Sequence, residues 1–241
     1  METMCADDVA GAETLDIMAS AARYNAWQYE IIAPYLGRRV LEVGSGIGNI
    51  SRHLVAGGHE LVVLTDTDEW YRGQLRASHD SDPTVVIDSL TLPDDRAPLE
   101  FAPFRLDTVV ALNVVEHIPD DVGALRTMGQ MVGQGGRIVV LVPALEWLYG
   151  SLDEELQHQR RYSRRALRDA VEAAGLRVEA LMWFNFVGIA GWWWNAKVRR
   201  APRIPRSQML KFDALVPLLR MERYVPLPCA QSLIVVAVND G

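Results

Sequence analysis

The chain has 241 residues, 49% of them hydrophobic and 23% charged, an ordinary globular composition long enough for one sizeable α/β domain. A net charge of −7 argues against nucleic-acid binding through a broad basic face and leaves room only for a local basic patch. Cys5 and Cys229 have neither disulfide-framework nor metal-ligand spacing and read as free thiols, and the acidic N-terminus has no secretory signal, so a cytoplasmic protein without a metal is expected.

Residues 1 to about 12 read as a flexible tail, and 13–241 as a single domain. Leu15 to Leu36 reads as helix, interrupted or ended near Pro34. Val40, Leu41 and Val43 mark a short buried strand. A turn with Gly44, Gly46 and Gly48 follows, then a helix on which Ile50, Leu54 and Val55 share a face. Glu60 to Asp66 and Val85 to Leu90 read as the second and third strands, and Leu92 to Phe104 as a proline-rich irregular stretch. Leu106 to Asn113 is the fourth strand. Val122, Leu125, Met128 and Val132 then mark a helix ending near Gly133, and Arg137 to Val142 is the fifth strand. Pro143 to Tyr162 is a long aromatic and charged loop. Ser163 N-caps a helix that runs to Ala174 and stops at Gly175. Leu176 to Met182 and Gln231 to Asn239 are the last two strands, separated by residues 184–228.

The glycine turn carries the first chemical signal. Glycine lets the backbone turn sharply and lets a ligand come close to the main chain. The helix start beyond it offers free N–H groups to an anionic group. A dinucleotide site wants G-x-G-x-x-G, but here the spacing is G-x-G-x-G with Asn49 in the sixth place. Glu42 precedes the turn by two residues. A carboxylate there opposes a pyrophosphate and favours a cationic ligand. Residue by residue, Glu42-Val43-Gly44-Ser45-Gly46-Ile47-Gly48 resembles the first motif of the class I S-adenosylmethionine (SAM)-dependent methyltransferases, E-x-G-x-G-x-G. The bare alternative is a glycine turn that only packs a helix on a sheet.

That resemblance implies a doubly wound, mostly parallel seven-stranded α/β sheet, with 184–228 a helical lid or acceptor insertion before the last strand. It implies SAM as cofactor, held by Glu42, Gly44, Ser45, Gly46, Gly48 and Asn49. Asp66 ends the second strand about twenty residues after the turn, where an acid accepts from ribose hydroxyls. Thr67 adjoins it and Asp68 competes with it. Asp88 and Ser89 match the position that meets the adenine, and Asn113 the position beside the methionine part. In many small-molecule members a helix before the first strand closes over the cofactor. By that likeness Tyr24, Asn25 and Trp27 face SAM or substrate. The other reading is a helix that packs Trp27 and Ile31 on the sheet.

Methyl transfer is an in-line displacement that needs alignment and exclusion of water, and a base when the acceptor must lose a proton. His117 and His158 stand where a base could be. Asp153 with His158 makes a base and its orienter, while His117 otherwise holds the turn after Asn113. Tyr149, Tyr162 and Trp192 are acceptor-side candidates, since α/β sheets place substrate contacts in loops at the carboxyl ends of strands. Trp192-Trp193-Trp194, followed by Lys197, Arg199 and Arg200, is too short an apolar run to span a bilayer. It reads as a lid or acceptor wall, as a membrane-surface element, or as plain core. The expected function is methyl transfer to a small molecule in specialised metabolism, by a monomer or homodimer. The rivals are a lipid- or glycan-linked acceptor at a membrane surface, and a non-catalytic SAM-binding module. The intact turn with Asp66 and Asp88 speaks against the last.

Overall fold

The computed structural model describes residues 9–241. Its strands are β1 (Arg39–Val43), β2 (Leu61–Thr65), β3 (Val85–Asp88), β4 (Thr108–Leu112), β5 (Arg137–Pro143), β6 (Arg177–Phe184) and β7 (Ser232–Val238). They form one sheet in the order β3-β2-β1-β4-β5-β7-β6. The first five run parallel, and β7 lies antiparallel between β5 and β6. This is the expected doubly wound, mostly parallel architecture. The strand order reverses between β1 and β4, which opens a crevice at the carboxyl ends of those two strands.

The helices are α1 (Val9–Ala19), α2 (Ala22–Ile32), α3 (Ser51–Ala56), α4 (Glu69–His79), α5 (Ala97–Glu100), α6 (Asp121–Met131), α7 (Ser151–Glu155), α8 (Arg164–Ala173), α9 (Gly188–Trp193) and α10 (Arg206–Leu219). A π-helical stretch, Trp194–Arg199, continues α9. Successive residues of a strand face opposite sides, so β1 feeds two cores. Val40 packs with Trp27 of α2, Leu54 of α3, Leu75 of α4 and Val216 of α10. Leu41 and Val43 pack with Leu125 and Met128 of α6 and with Leu167 and Val171 of α8. Burial on both faces is why the central strands read as unbroken apolar runs.

The sequence expectation fails in five places. One helix was expected from Leu15 to Leu36, but the chain breaks at Ala21, whose φ of −96° and ψ of 62° leave the helical region. Ser20 Oγ donates to Ile17 O at 2.6 Å and Asn25 Nδ2 to Met18 O at 2.9 Å, closing α1 with side chains. The tail expected over 1–12 is helical from Val9; residues 1–8, Cys5 among them, lie outside the described residues. Helix α4 was not anticipated because it buries only Tyr71 and Leu75. Asp68 caps it, accepting from Trp70 N at 2.8 Å. The stretches 92–104 and 143–162, read as irregular, hold α5 and α7. Between β6 and β7 the chain runs through α9, the π-helical stretch and α10. Among the described residues no helix is long and apolar enough to cross a membrane.

Candidate active site

β1 delivers Glu42 and then three glycines with φ of +67°, +53° and +82° at Gly44, Gly46 and Gly48. A Cβ at Gly44 would stand 2.7 Å from Val114 Cγ2, and one at Gly46 would stand 2.8 Å from Leu15 Cδ1 of α1. Left-handed backbone and close neighbours together require glycine at both positions. The turn is tied to β2: Ser45 N donates to Thr65 O at 2.9 Å, and Gly46 N to Asp66 Oδ2 at 2.8 Å. Asp66 Oδ1 accepts from Asp68 N at 3.0 Å. Burial raises the Asp66 carboxyl above its ordinary range, against the lowering effect of those two N–H groups. Glu42 is buried and accepts from Ser51 Oγ at 2.5 Å. Burial pushes its carboxyl up to about 7, opposed by the Ser51 and Ser45 hydroxyls.

These groups line a cleft of about 830 Å³ above the β1–β4 crevice, towards the upper end of the roughly 300–1,000 Å³ of small-molecule sites. Of the residues singled out from sequence, Tyr24, Glu42, Gly44, Ser45, Gly46, Asn49, Asp66, Thr67, Asn113, His117, His158 and Trp192 line it. Asn49 Nδ2 donates to Leu15 O at 2.9 Å, which fastens α1 over the glycine turn. The cover on this end is therefore Gly11, Thr14, Leu15 and Met18 of α1, ahead of the expected Tyr24–Trp27 cluster.

At the other end, Asp153 is the hub of a buried network. Its Oδ1 accepts from His158 Nδ1 at 2.9 Å and from Arg161 Nε at 2.8 Å. Its Oδ2 accepts from Gly150 N at 3.0 Å and Trp192 Nε1 at 3.2 Å. Burial would raise this carboxyl, but the bond from His158 and the Arg161 charge outweigh it and hold it low. Arg161 also donates to Ala144 O at 2.7 Å and lies 4.6 Å from the Trp192 ring centroid. His158 Nε2 is 4.0 Å from Glu116 Oε1. Glu116 is fully buried, with no hydrogen-bond partner on either carboxylate oxygen. Burial lifts its pKa to about 8, against the pull of Arg161. The His117 ring meets that of His158 edge-on, centroids 4.7 Å apart. Open to the cleft but walled by protein elsewhere, His117 is held near 4 by burial and by His158, with a bond to the Leu156 backbone acting the other way.

Glu116, His117 and His158 thus offer a carboxylate oxygen and two imidazole nitrogens within 4.8 Å of one another, donor types that suit a transition metal. Burial raises the Glu116 carboxyl to about 8, so a metal bound here would have to displace its proton.

Seven residues expected at the site lie off the cleft wall. A Cβ at Gly48 would stand 3.3 Å from Leu75 Cδ2 and 3.8 Å from Ser51 Cβ, so this glycine serves the packing of α3 and α4. Asp88 is exposed at the end of β3 and accepts from Ser89 N at 2.8 Å; the wall there is Leu90, Thr91 and Leu92. Trp27 is 2% exposed, its ring 4.6 Å from that of Phe184, so the packing reading of this residue holds. Tyr149 donates to His158 O at 2.9 Å and supports the loop. Tyr162 is buried and donates to Asp121 Oδ2 at 2.7 Å. Asp153 stands behind His158, as an orienter does. Sequence reasoning passed over Glu116, although it adjoins His117, and Arg161, a member of the charged run before Tyr162. It had no signal for the α1 residues, which reach the cleft only through the turn at Ala21.

A methyltransferase-domain family model matches residues 18–181, more than half of the chain. The chain belongs to the class I SAM-dependent methyltransferases. SAM is its cofactor, and the site fits that molecule: a glycine turn that a Cβ would fill, two buried carboxyls beside it, and a cleft of ample volume. A Haloferax volcanii methyltransferase solved in complex with the Trm112 activator has this fold, with a TM-score of 0.66 and 19% identity over 100% of both chains. A SAM-dependent methyltransferase from Mesorhizobium loti gives 0.58 and 16%, covering 90% of this chain and 97% of that one. Among curated relatives, a ubiquinone biosynthesis O-methyltransferase of Paracidovorax citrulli is 28% identical over 44% of this methyltransferase and 43% of its own length. A tRNA U34 carboxymethyltransferase of Pseudomonas aeruginosa is 26% identical over 57% and 42%. The matched segments span less than half of either relative.

Proposed function

We propose that this methyltransferase acts on a small-molecule acceptor of specialised metabolism that must lose a proton, a hydroxyl above all. The observation that carries the reading is the Asp153–His158 pair, set at the opposite end of the cleft from the glycine turn. With Nδ1–H donated to Asp153, His158 keeps a lone pair on Nε2, the atom that takes the acceptor proton. Asp153 fixes the ring, and Arg161 and Trp192 fix Asp153. His158 is thus the base and Asp153 its orienter, and Glu116 is a second proton carrier beside Nε2. His117 borders the acceptor and braces the loop at Leu156.

When bound, SAM supplies an electrophilic methyl on its sulfonium. Glu42 would hold the cationic part, Asp66 and Thr67 the ribose, Leu90 to Leu92 the adenine, and Asn113 the methionine end. Gly44, Ser45, Gly46 and Asn49 provide the backbone approach. Trp192, with α9 and α10, walls the acceptor and excludes water. In this reading the described residues work as one domain, with 184–228 as lid and acceptor wall. A second reading, a lipid- or glycan-linked acceptor at a membrane surface, draws on the aromatic and basic surface between β6 and β7.

Incubation with methyl-labelled SAM and fractionated extracts separates these readings. Label in a soluble small molecule is expected. Label in the lipid fraction selects the second reading, and label in RNA defeats both.

A further inference from the structure

The surface between β6 and β7 differs from the rest of the molecule in two ways. Among the described residues thirteen large apolar side chains are exposed, and eleven of them fall between 186 and 225. Residues 184–228 also carry eight Lys and Arg against two Asp and Glu, a local net of +6 in a chain of net −7. Both acids turn inward. Asp213 is buried and accepts from Tyr24 N at 2.8 Å; Glu222 accepts from Asn185 N at 2.7 Å and Phe186 N at 2.9 Å. Arg203, Arg206 and Arg220 are paired with Glu13, Asp16 and Glu30. Lys197, Arg199, Arg200, Lys211 and Arg223 have no acidic partner among the described residues and face solvent.

The two features share a helix. Phe186, Ala190, Trp193, Trp194, Lys197 and Val198 are exposed, and their spacing of three or four residues puts them on one face of α9 and its π-helical continuation. The opposite side holds buried Gly188, Asn195 and Ala196, and Trp192 on the cleft wall. Trp147 and Cys229 extend the outer face into an apolar groove. Isolated exposed apolar residues need no explanation, but a continuous patch rimmed by charge does.

We infer that this face docks on the anionic surface of a lipid bilayer. Trp193, Trp194 and Phe186 enter the headgroup boundary, where indoles prefer to lie, and Lys197, Arg199 and Arg200 meet lipid phosphates. The rest of the chain is acidic, so repulsion from the same surface turns the basic face towards it. RNA would match the charge but not the aliphatic part of this face, Val187, Ile189 and Val198, which has no π-face on which a base could stack. The inference concerns where the enzyme works and is independent of which acceptor atom is methylated. Its consequence is directional: the helix that walls the acceptor end of the cleft is the one that lies on the lipid.

The test is co-sedimentation of the full chain, without acceptor, with vesicles of phosphatidylcholine alone or in equimolar mixture with phosphatidylglycerol. Binding to the anionic vesicles only is expected, falling steeply as salt rises. The triple variant Lys197→Gln/Arg199→Gln/Arg200→Gln should bind roughly 100-fold more weakly. Trp193→Ser/Trp194→Ser should also lose binding, and both variants should keep wild-type SAM affinity by calorimetry, which shows that the fold is intact. Equal binding to neutral vesicles, or wild-type binding by either variant, overturns the inference. So does a protein that pellets without vesicles, or one that binds tRNA more tightly than it binds the anionic vesicles.

Discussion

The two ends of the cleft hold their polar groups by different means. At the glycine turn the backbone does most of the work: positive φ at Gly44 and Gly46 brings the main chain to the surface, and Asp66 is satisfied by the N–H groups of Gly46 and Asp68. At the acceptor end a side chain is the hub. Asp153 gathers His158, Arg161, Trp192 and the Gly150 N–H from a loop, a helix and a segment nearly forty residues away. A backbone-built site depends on a few contiguous residues and tolerates change around them. A network around one buried carboxylate ties stability and chemistry together, so the two ends should answer mutation differently.

The largest expected effect is on rate. His158→Ala should lower kcat by roughly 10²–10⁴ while SAM affinity stays near wild type. If His117→Ala abolishes turnover and His158→Ala does not, the base has been assigned to the wrong ring. Asp153→Asn should lower rate and stability together. It leaves the Arg161 guanidinium buried without its partner, which costs on the order of 3–5 kcal/mol in urea unfolding. A variant of wild-type stability would mean that Asp153 is not the hub.

At the other end the effect should be confined to binding. Asp66→Ala should weaken SAM by on the order of 1.5–3 kcal/mol in calorimetry, because a charged acceptor for hydroxyls is lost together with the brace on Gly46. Unchanged affinity would place the ribose elsewhere.

The smallest effect separates the ends by pH. Glu42 rises from 4.5 to about 7 in the folded chain and Glu116 from 4.5 to about 8. Between those limits the folded state binds more protons than the unfolded one, so both carboxyls favour folding below about pH 4.5. That stabilisation is lost as pH rises, through about 7 for Glu42 and about 8 for Glu116. The stability of the free protein should therefore decline across this window. SAM affinity should increase through pH 7, because the cation prefers an ionised Glu42. Glu42→Gln should flatten the affinity profile and leave the Glu116 part of the stability profile in place. A profile unaltered by that substitution would separate Glu42 from the cofactor.

The sequence by itself determined the architecture and picked out the glycine turn with Asp66, but it put Gly48, Asp88 and Ser89 at a cleft they do not line. The β1 turn, the acid after β2 and the buried parallel strands are local in sequence, and their periods and glycines can be read without knowing what packs on them. Asp153 and His158 were legible as a pair because they are five residues apart. Their surroundings were not. Glu116 and Arg161 acquire meaning only when the loop after β4 and the loop after β5 come together, and Trp192 only when α9 folds back on Asp153. Trp27 and Tyr162, aromatic and next to chemistry in the sequence, were drawn into the core and to Asp121, since a large side chain gains more by burial than by lining a wet cleft. The break at Ala21, which puts α1 over the glycines, was likewise decided by tertiary contacts: α2 is held by the sheet and by Asp213 of α10, while α1 is held by the turn it covers and by Arg203 and Arg206. Local propensity cannot distinguish one long helix from two that answer to different surfaces.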